Sequence, residues 1–238
     1  MPNATAMILA AGRGQRMRPL TDTCPKPLLQ VGGRALMAWH VRALAAGGFT
    51  DLLINTAWLG EQIEPAMAPL ARELHARIRY SHEGHDFGDA LETAGGIARA
   101  LPFLADVFWV VAGDVFVPDF DFGRAAYDRF AASDHLAHLY MVPNPAHNRG
   151  GDFGLSEQGM ALNLPAGHAG RLYTFSTIAI YKRGFFASLP AGNPQGRKAA
   201  LAPLLRAAMD LGRVSGEVYA GPWTDVGTPE RLAELNGV

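Results

Sequence analysis

Along the first half of the chain, short apolar runs alternate with longer stretches whose apolar positions recur at helical spacing. Residues 5–10 are apolar and run straight into Gly12 and Gly14, as a buried strand entering a tight turn would. Residues 35–46 place Leu36, Trp39 and Ala43 on one helical face with Met37, Val41 and Leu44 beside it, and Gly47 and Gly48 stop the helix. DLLIN at 51–55 predicts a second strand, residues 58–74 a helix interrupted at Pro65 and Pro69, and residues 76–80 a third strand. The polar run SHEGHDFG at 81–88 predicts a loop, followed by a helix over 89–100. DVFWVV at 106–111 is the most hydrophobic strand, and it stops at Ala112, Gly113 and Asp114. This alternation predicts an α/β fold, a mostly parallel central sheet flanked by helices, with ligands beyond the carboxyl ends of its strands.

The second half is less regular. Residues 136–142 and 172–181 predict strands, and 144–170 is rich in Gly, Pro, Asn and His with room for a hairpin at 156–162. Residues 198–209 predict a helix, 214–219 a strand and 229–235 a terminal helix. With no linker, repeat or low-complexity segment, the expectation is one domain over residues 1–238, its later strands forming a lid or substrate wall.

Composition narrows the function classes. Lys and Arg number 21 against 22 Asp and Glu, a formal charge of -1, so there is no global field to gather nucleic acid or an anionic membrane. The single cysteine, Cys24, excludes an internal disulfide and fits a reducing compartment, so a cytoplasmic setting is expected. No signal peptide or membrane span is expected either.

Positive charge matters where it is local. Residues 7–27, MILAAGRGQRMRPLTDTCPKP, carry Arg13, Arg16, Arg18 and Lys26 against Asp22 alone. A dinucleotide loop would need a glycine at Met17 and an acid near Asn55, and a triphosphatase loop would need Gly-Lys-Ser/Thr; neither is present. What remains is a short glycine turn whose N–H groups can reach phosphate oxygens, followed by arginines that match a polyphosphate tail. Arg16 is the first choice for that tail, while Arg13 and Arg18 are open to a solvated or structural role. Lys26 lies between Pro25 and Pro27, launched from a stiff segment towards a phosphate under attack or, on the alternative reading, facing solvent from a proline turn. Asp114, at the end of the most apolar strand, suits Mg²⁺, which one or two carboxylates and substrate phosphates commonly hold. Asp225, taken locally, reads as a turn or helix-capping residue. His82 and His85 hint at zinc but lack a matching second pair of ligands.

AAGRGQRMRPLT at 10–21 followed by PKPL at 25–28 resembles the signature of the sugar-1-phosphate nucleotidylyltransferases, GxGxRLxPLTxxxPKPL, with Met17 in place of leucine. The resemblance implies a Rossmann-like nucleotidyltransferase fold in which Arg16 and Lys26 are catalytic. It further implies that Ala11, Gly12, Arg13, Gly14, Thr93 and Gly113 bind the nucleotide and that Asp114 and Asp225, the latter in WTDVGT, share Mg²⁺. Within the family, ETAGG at 92–96, NTAWLG at 55–60 and LAPLLR at 201–206 are similar to a branch that joins UTP to N-acetylmuramate 1-phosphate in recycling of cell-wall amino sugar. That similarity implies Asn144, Asp152 and Thr174 as sugar-phosphate residues. A sugar phosphate is ionised near neutral pH and needs no general base, so the chemistry implied is in-line attack on the α phosphate with release of pyrophosphate.

The chain departs from the branch at Ala94 and Thr177, where glycine is usual, at Ala200, where lysine is usual with Lys198 two residues away, and in a longer loop over 81–91. Other members remain alternatives: glucose-1-phosphate thymidylyl- or uridylyltransferases and mannose-1-phosphate guanylyltransferases. A different class, a non-catalytic nucleotide-sugar sensing or regulatory protein, would be expected to have lost Lys26 or the aspartates. The partners expected are UTP, or another nucleoside triphosphate, and a sugar 1-phosphate, acting on a monomer or weak homodimer.

Overall fold

Strand β1 (Ala4–Ala10) is the axis of the fold in the computed structural model, which describes residues 4–165, 168 and 170–237. After it come the ribbon β2 (Gln30–Val31) and β3 (Arg34–Ala35), helix α1 (Leu36–Ala46), β4 (Asp51–Thr56), α2 (Ile63–Glu73), β5 (Arg77–His82), α3 (Glu83–Phe87) and α4 (Glu92–Ala100). The middle of the chain supplies β6 (Leu104–Ala112), β7 (Val115–Phe116), α5 (Arg124–Ala132), β8 (Ala137–Val142), β9 (Phe153–Leu155), β10 (Ala161–Leu162) and β11 (Leu172–Lys182). The chain closes with α6 (Leu201–Asp210), β12 (Val214–Val218), β13 (Thr224–Asp225) and α7 (Pro229–Asn236).

Nine strands form one sheet. β1 pairs in parallel with β4 on one side and β6 on the other, and β5 extends the parallel block beyond β4. The chain thus leaves β1 in one direction, through β4 and β5, and returns to β6 on its other side. That reversal opens a crevice at the carboxyl ends of β1 and β6. β11 then joins β6 antiparallel and also pairs antiparallel with β8 and, at its start, with β9, while β12 lies parallel to β8.

Side-chain alternation divides the core into two layers. Ala6, Ile8, Leu52, Ile54, Trp109 and Val111 pack on one face under α1, α2 and α5. Met7, Leu53, Phe108, Val110, Leu139 and Tyr181 pack on the other under α4 and α6. Burial on both faces explains why β1, β4 and β6 are apolar almost throughout.

Three local expectations are corrected. Pro69 does not interrupt α2: the bond it cannot donate would go to Pro65 in the first turn, and Pro65 sits where an N–H has no helical partner anyway. Residues 81–88 are not a loop, because β5 runs to His82 and α3 follows at once. Helix α6 begins at Leu201 and not at 198, since the preceding residues clasp α4: Ala199 O accepts from Ala94 N (2.9 Å) and Gly95 N (3.1 Å).

Candidate active site

The glycine turn follows directly from β1. The Ala10 N–H donates to Asn55 Oδ1 (2.9 Å), fixing the strand's end to β4. Gly14 adopts φ 65°, and a Cβ there would stand 3.0 Å from Thr21 Cγ2 and 3.3 Å from Lys26 Cβ. The position therefore needs glycine on both conformational and steric grounds. Pro25 feeds a 3-10 turn, Lys26–Leu28, and Lys26 is only 8 % exposed. Its ammonium donates to Asp114 Oδ2 at 2.6 Å.

Asp114 arrives from the end of β6. The Gly113 N–H donates to Leu9 O (2.8 Å), and a Cβ on Gly113 would press to 3.0 Å from that oxygen, so glycine lets β6 and β1 close together here. β7 and β13 pair antiparallel with Asp225 opposite Val115, and the Val226 N–H donates to Asp114 O (2.9 Å). This small ribbon brings the two aspartates to adjacent backbone positions. Beneath it, buried His40 places Nε2 at 2.9 Å from Val115 O; burial lowers its pKa to about 4, so the ring is neutral and donates its proton to that carbonyl.

Around Asp225 gather three groups capable of positive charge. Arg231 from α7 pairs with the carboxylate and donates Nη1 to Asp225 O (2.9 Å), while His147 Nε2 lies 3.2 Å from Oδ1. A Cβ on Gly227 would stand 3.1 Å from both Arg231 Nη1 and Asp225 Oδ2 and 3.4 Å from Arg16 Nη2, which puts Arg16 in the same cluster. Burial, then the charge of Arg16, lowers the pKa of Arg231. His147 is lowered by burial and then by both arginines.

The aspartate pair fits Mg²⁺ in donor chemistry: two hard oxygen ligands on adjoining segments, with the remaining positions left to phosphate. Among the described residues there is no cluster of three or more acidic, histidine or cysteine ligands, so an all-protein cage is not formed. Each carboxylate is instead held by a cation, Lys26 on Asp114 and Arg231 on Asp225.

Two adjoining cavities open from this floor. The smaller, about 320 Å³, is lined by Ala11, Gly12, Lys26, Asn55, Glu83 and Asp114 among others. The larger, about 590 Å³, is walled chiefly by Asp152, Phe153, Phe175, Tyr181, Leu205 and Arg206. Leu9, Glu92, Thr93, Ala112 and Thr177 line both and so mark their junction.

Other expected residues have partners of their own. Arg13 lays its guanidinium 3.4 Å from the centre of the Trp58 ring and donates to Thr21 O (3.1 Å), which braces the turn. Asn144, Asp152 and Thr174 form one network through Asn148, whose Nδ2 donates to Asp152 Oδ1 (3.2 Å) and Thr174 Oγ1 (3.1 Å). Thr174 in turn donates to Asn144 Oδ1 (3.0 Å), and the Phe175 N–H donates to Asp152 Oδ2 (2.8 Å). Of that trio Asp152 reaches the large cavity. Lys198 extends to Asp89 (2.5 Å) at the surface.

Two features were not anticipated from sequence. Glu83 is fully buried, accepting from Asn55 Nδ2 (2.7 Å) and Leu91 N (2.8 Å), and burial raises its pKa. A Cβ on Gly96 would fall 2.5 Å from Glu83 Oε1, so the glycine in ETAGG makes room for this acid. The signal was there in that glycine, but a carboxylate inside a polar run gave no reason to expect burial. Thr177 adopts φ 66°, a region a β-branched residue rarely enters, at a register shift of β11 against β8. Its departure from the usual glycine therefore has a backbone consequence.

Comparison with known proteins accords with this geometry. Among solved structures, a Bacillus anthracis protein crystallised with sucrose, assigned as a glucose-1-phosphate thymidylyltransferase, shares the fold with a TM-score of 0.80 at 20 % identity, covering 98 % of this chain and 94 % of that one. The N-acetylmuramate alpha-1-phosphate uridylyltransferase of Neisseria meningitidis serogroup B is 48 % identical over 98 % of this chain and 97 % of its own length. The enzyme of the same name from Caulobacter vibrioides is 33 % identical over 96 % of this chain and 97 % of its own. The nucleotidyl transferase family profile matches residues 5–237, and the chain belongs to that family.

Proposed function

We propose that the protein transfers a uridylyl group from UTP to N-acetylmuramate 1-phosphate, giving UDP-N-acetylmuramate and pyrophosphate. The observation that carries this reading is the Lys26–Asp114 pair, 2.6 Å apart, on the floor of a cavity that the glycine turn also lines. The 48 % identity over 98 % of the chain to a uridylyltransferase for this acceptor supports the choice of substrates.

The roles follow from charge and position. N–H groups of the Ala11–Gly14 turn can receive phosphate oxygens, and Arg16 can hold the pyrophosphate portion. The sugar phosphate oxygen attacks the α phosphorus; a new P–O bond forms, the bond to the β-phosphate oxygen breaks, and pyrophosphate leaves carrying the displaced charge. Lys26, nearly excluded from water, neutralises negative charge building on the α phosphate, where a low dielectric makes its contribution large. Asp114 and Asp225 would hold Mg²⁺, which supplies further neutralisation of the phosphates when bound. Ligand binding then exchanges partners: Lys26 turns from Asp114 to phosphate, and Arg231 yields Asp225. The reaction belongs to recycling of cell-wall amino sugar in the cytoplasm. No helix among the described residues is long and apolar enough to cross a membrane.

Incubation of the purified protein with UTP, N-acetylmuramate 1-phosphate and Mg²⁺ should yield UDP-N-acetylmuramate, identified by mass spectrometry, and one pyrophosphate per product. Absence of that product while another acceptor is converted would reject the substrate assignment.

A further inference from the structure

The large cavity is mostly apolar, and its wall carries one cation. Phe153, Phe175, Tyr181, Leu201 and Leu205 supply the greasy surface, and Arg206 of α6 supplies a guanidinium. That group is held in place without being neutralised. Its Nη1 donates to the neutral amide oxygen of Asn163 (2.6 Å), and its carbon lies 5.1 Å from the centre of the Phe153 ring. Asn163 is itself fixed by its Nδ2, which donates to Asp210 Oδ1 (3.0 Å) and Oδ2 (3.2 Å) one turn further along α6. Among the described residues no carboxylate is paired with Arg206, whereas Arg13, Arg42, Arg77, Arg99 and Arg231 each have one.

The acidic groups of this cavity are placed differently. Asp152 accepts from the Phe175 N–H and the Asn148 amide, so backbone and amide donors already compensate it. Glu92 belongs to the end shared with the smaller cavity, while Arg206 lines the larger cavity alone. The cavity is therefore polarised, with its cation at a distance from the reaction end. A guanidinium has five N–H donors in a planar fork and suits a carboxylate through paired bonds. The guanidinium is exposed at the cavity's edge but lies over an aromatic face, which adds a cation–π attraction and leaves its outer N–H groups open to an incoming carboxylate.

We propose that Arg206 is a specificity-determining residue that recognises a carboxylate on the sugar acceptor, distant from its anomeric phosphate. The proposal rests on the reading of the protein as a sugar-1-phosphate uridylyltransferase and deepens it. Among amino-sugar phosphates, N-acetylmuramate differs from N-acetylglucosamine by an ether-linked lactyl group, whose only ionisable function is a carboxylate. Arg206 would make that difference count. Phe153, under the guanidinium, and Asn163, at its edge, act as positioning residues.

The test compares two acceptors in wild type, Arg206→Gln and Arg206→Lys, with UTP saturating. Glutamine favours helix and keeps hydrogen-bonding capacity, and Arg206 is exposed on α6, so the variant should fold with an unchanged melting temperature. Wild type should prefer N-acetylmuramate 1-phosphate to N-acetylglucosamine 1-phosphate. Loss of a charge-assisted pair should lower kcat/KM for the former by about 10- to 100-fold, chiefly through KM, with less than about 3-fold change for the latter. Lysine should restore part of the loss. Equal losses with both acceptors, or a preference that survives in Arg206→Gln, would overturn the role given to Arg206 while leaving the enzyme's activity established. A wild type that converts neither acceptor would strike the underlying functional reading itself.

Discussion

Replacing Lys26 by alanine removes a charge to which the proposed mechanism gives a small part in folding and a large one in catalysis. In the resting protein Lys26 bonds to Asp114 at 2.6 Å, with the lysine side chain 10 % and the aspartate side chain 41 % exposed. Because Asp114 can rehydrate once its partner is gone, the folding cost lies near that of a partly exposed pair, about 1 kcal/mol. For a chain of this size that is a fall of about 2–4 °C in Tm. On the proposed mechanism the same ammonium, itself only 10 % exposed, faces developing charge in the transition state. Loss of a preorganised donor of this kind costs about 10²–10³-fold in kcat. The assay is continuous pyrophosphate release at saturating UTP and sugar phosphate, with thermal unfolding followed in parallel. Turnover within about 3-fold of wild type at saturation, or a Tm loss large enough to explain inactivity by unfolding, would refute the reasoning.

Asp225→Asn keeps the shape of the β7–β13 ribbon but removes the charge proposed to hold Mg²⁺; on that reading kcat should fall by at least about 10²-fold with a shifted Mg²⁺ dependence, read by metal titration. Thr177→Gly relieves a strained backbone, φ 66°, and strain of about 2 kcal/mol less about 1 kcal/mol of glycine entropy predicts a Tm increase of about 2–4 °C by calorimetry. Gly96→Ala drives a methyl to 2.5 Å from Glu83 Oε1 and should destabilise by about 2 kcal/mol in urea unfolding, because Glu83 is locked by Asn55 and Leu91. Buried His40 has its pKa lowered from 6.5 to about 4, so the unfolded chain takes up the proton first as pH falls. Stability should therefore decline from pH 6.5 down to about 4, with about 3 kcal/mol at stake, and His40→Gln should flatten that part of the profile.

The parallel half of the fold was legible because each element there advertises itself. β1, β4 and β6 are buried on both faces and so read as largely apolar runs, and Gly47 and Gly48 mark the end of α1 plainly. The glycine turn and Lys26 were legible for a different reason: their spacing is set by local backbone geometry that the sequence itself records. Pairing across distance was harder to read. β8 and β11 could be located as strands, but β9 lay hidden in an irregular stretch, and the antiparallel order depends on contacts between segments far apart along the chain. The same holds within the site. Asp225 read locally as a capping residue and joined Asp114 only through the family resemblance, whereas in the fold the pairing of β13 with β7 sets the two side by side; Arg231 had no local feature to join it to Arg16. α3 escaped notice because five residues of mixed polarity carry too little periodicity to distinguish a helical turn from a loop.

A grid of nucleoside triphosphates against sugar 1-phosphates, scored by initial rates of pyrophosphate release, tests the account most directly. It should show the highest kcat/KM for UTP with N-acetylmuramate 1-phosphate, and that rate should collapse in both Lys26→Ala and Asp114→Asn. No pyrophosphate from any pairing, or a rate indifferent to both substitutions, would contradict the claim that these residues form one nucleotidyl-transfer site.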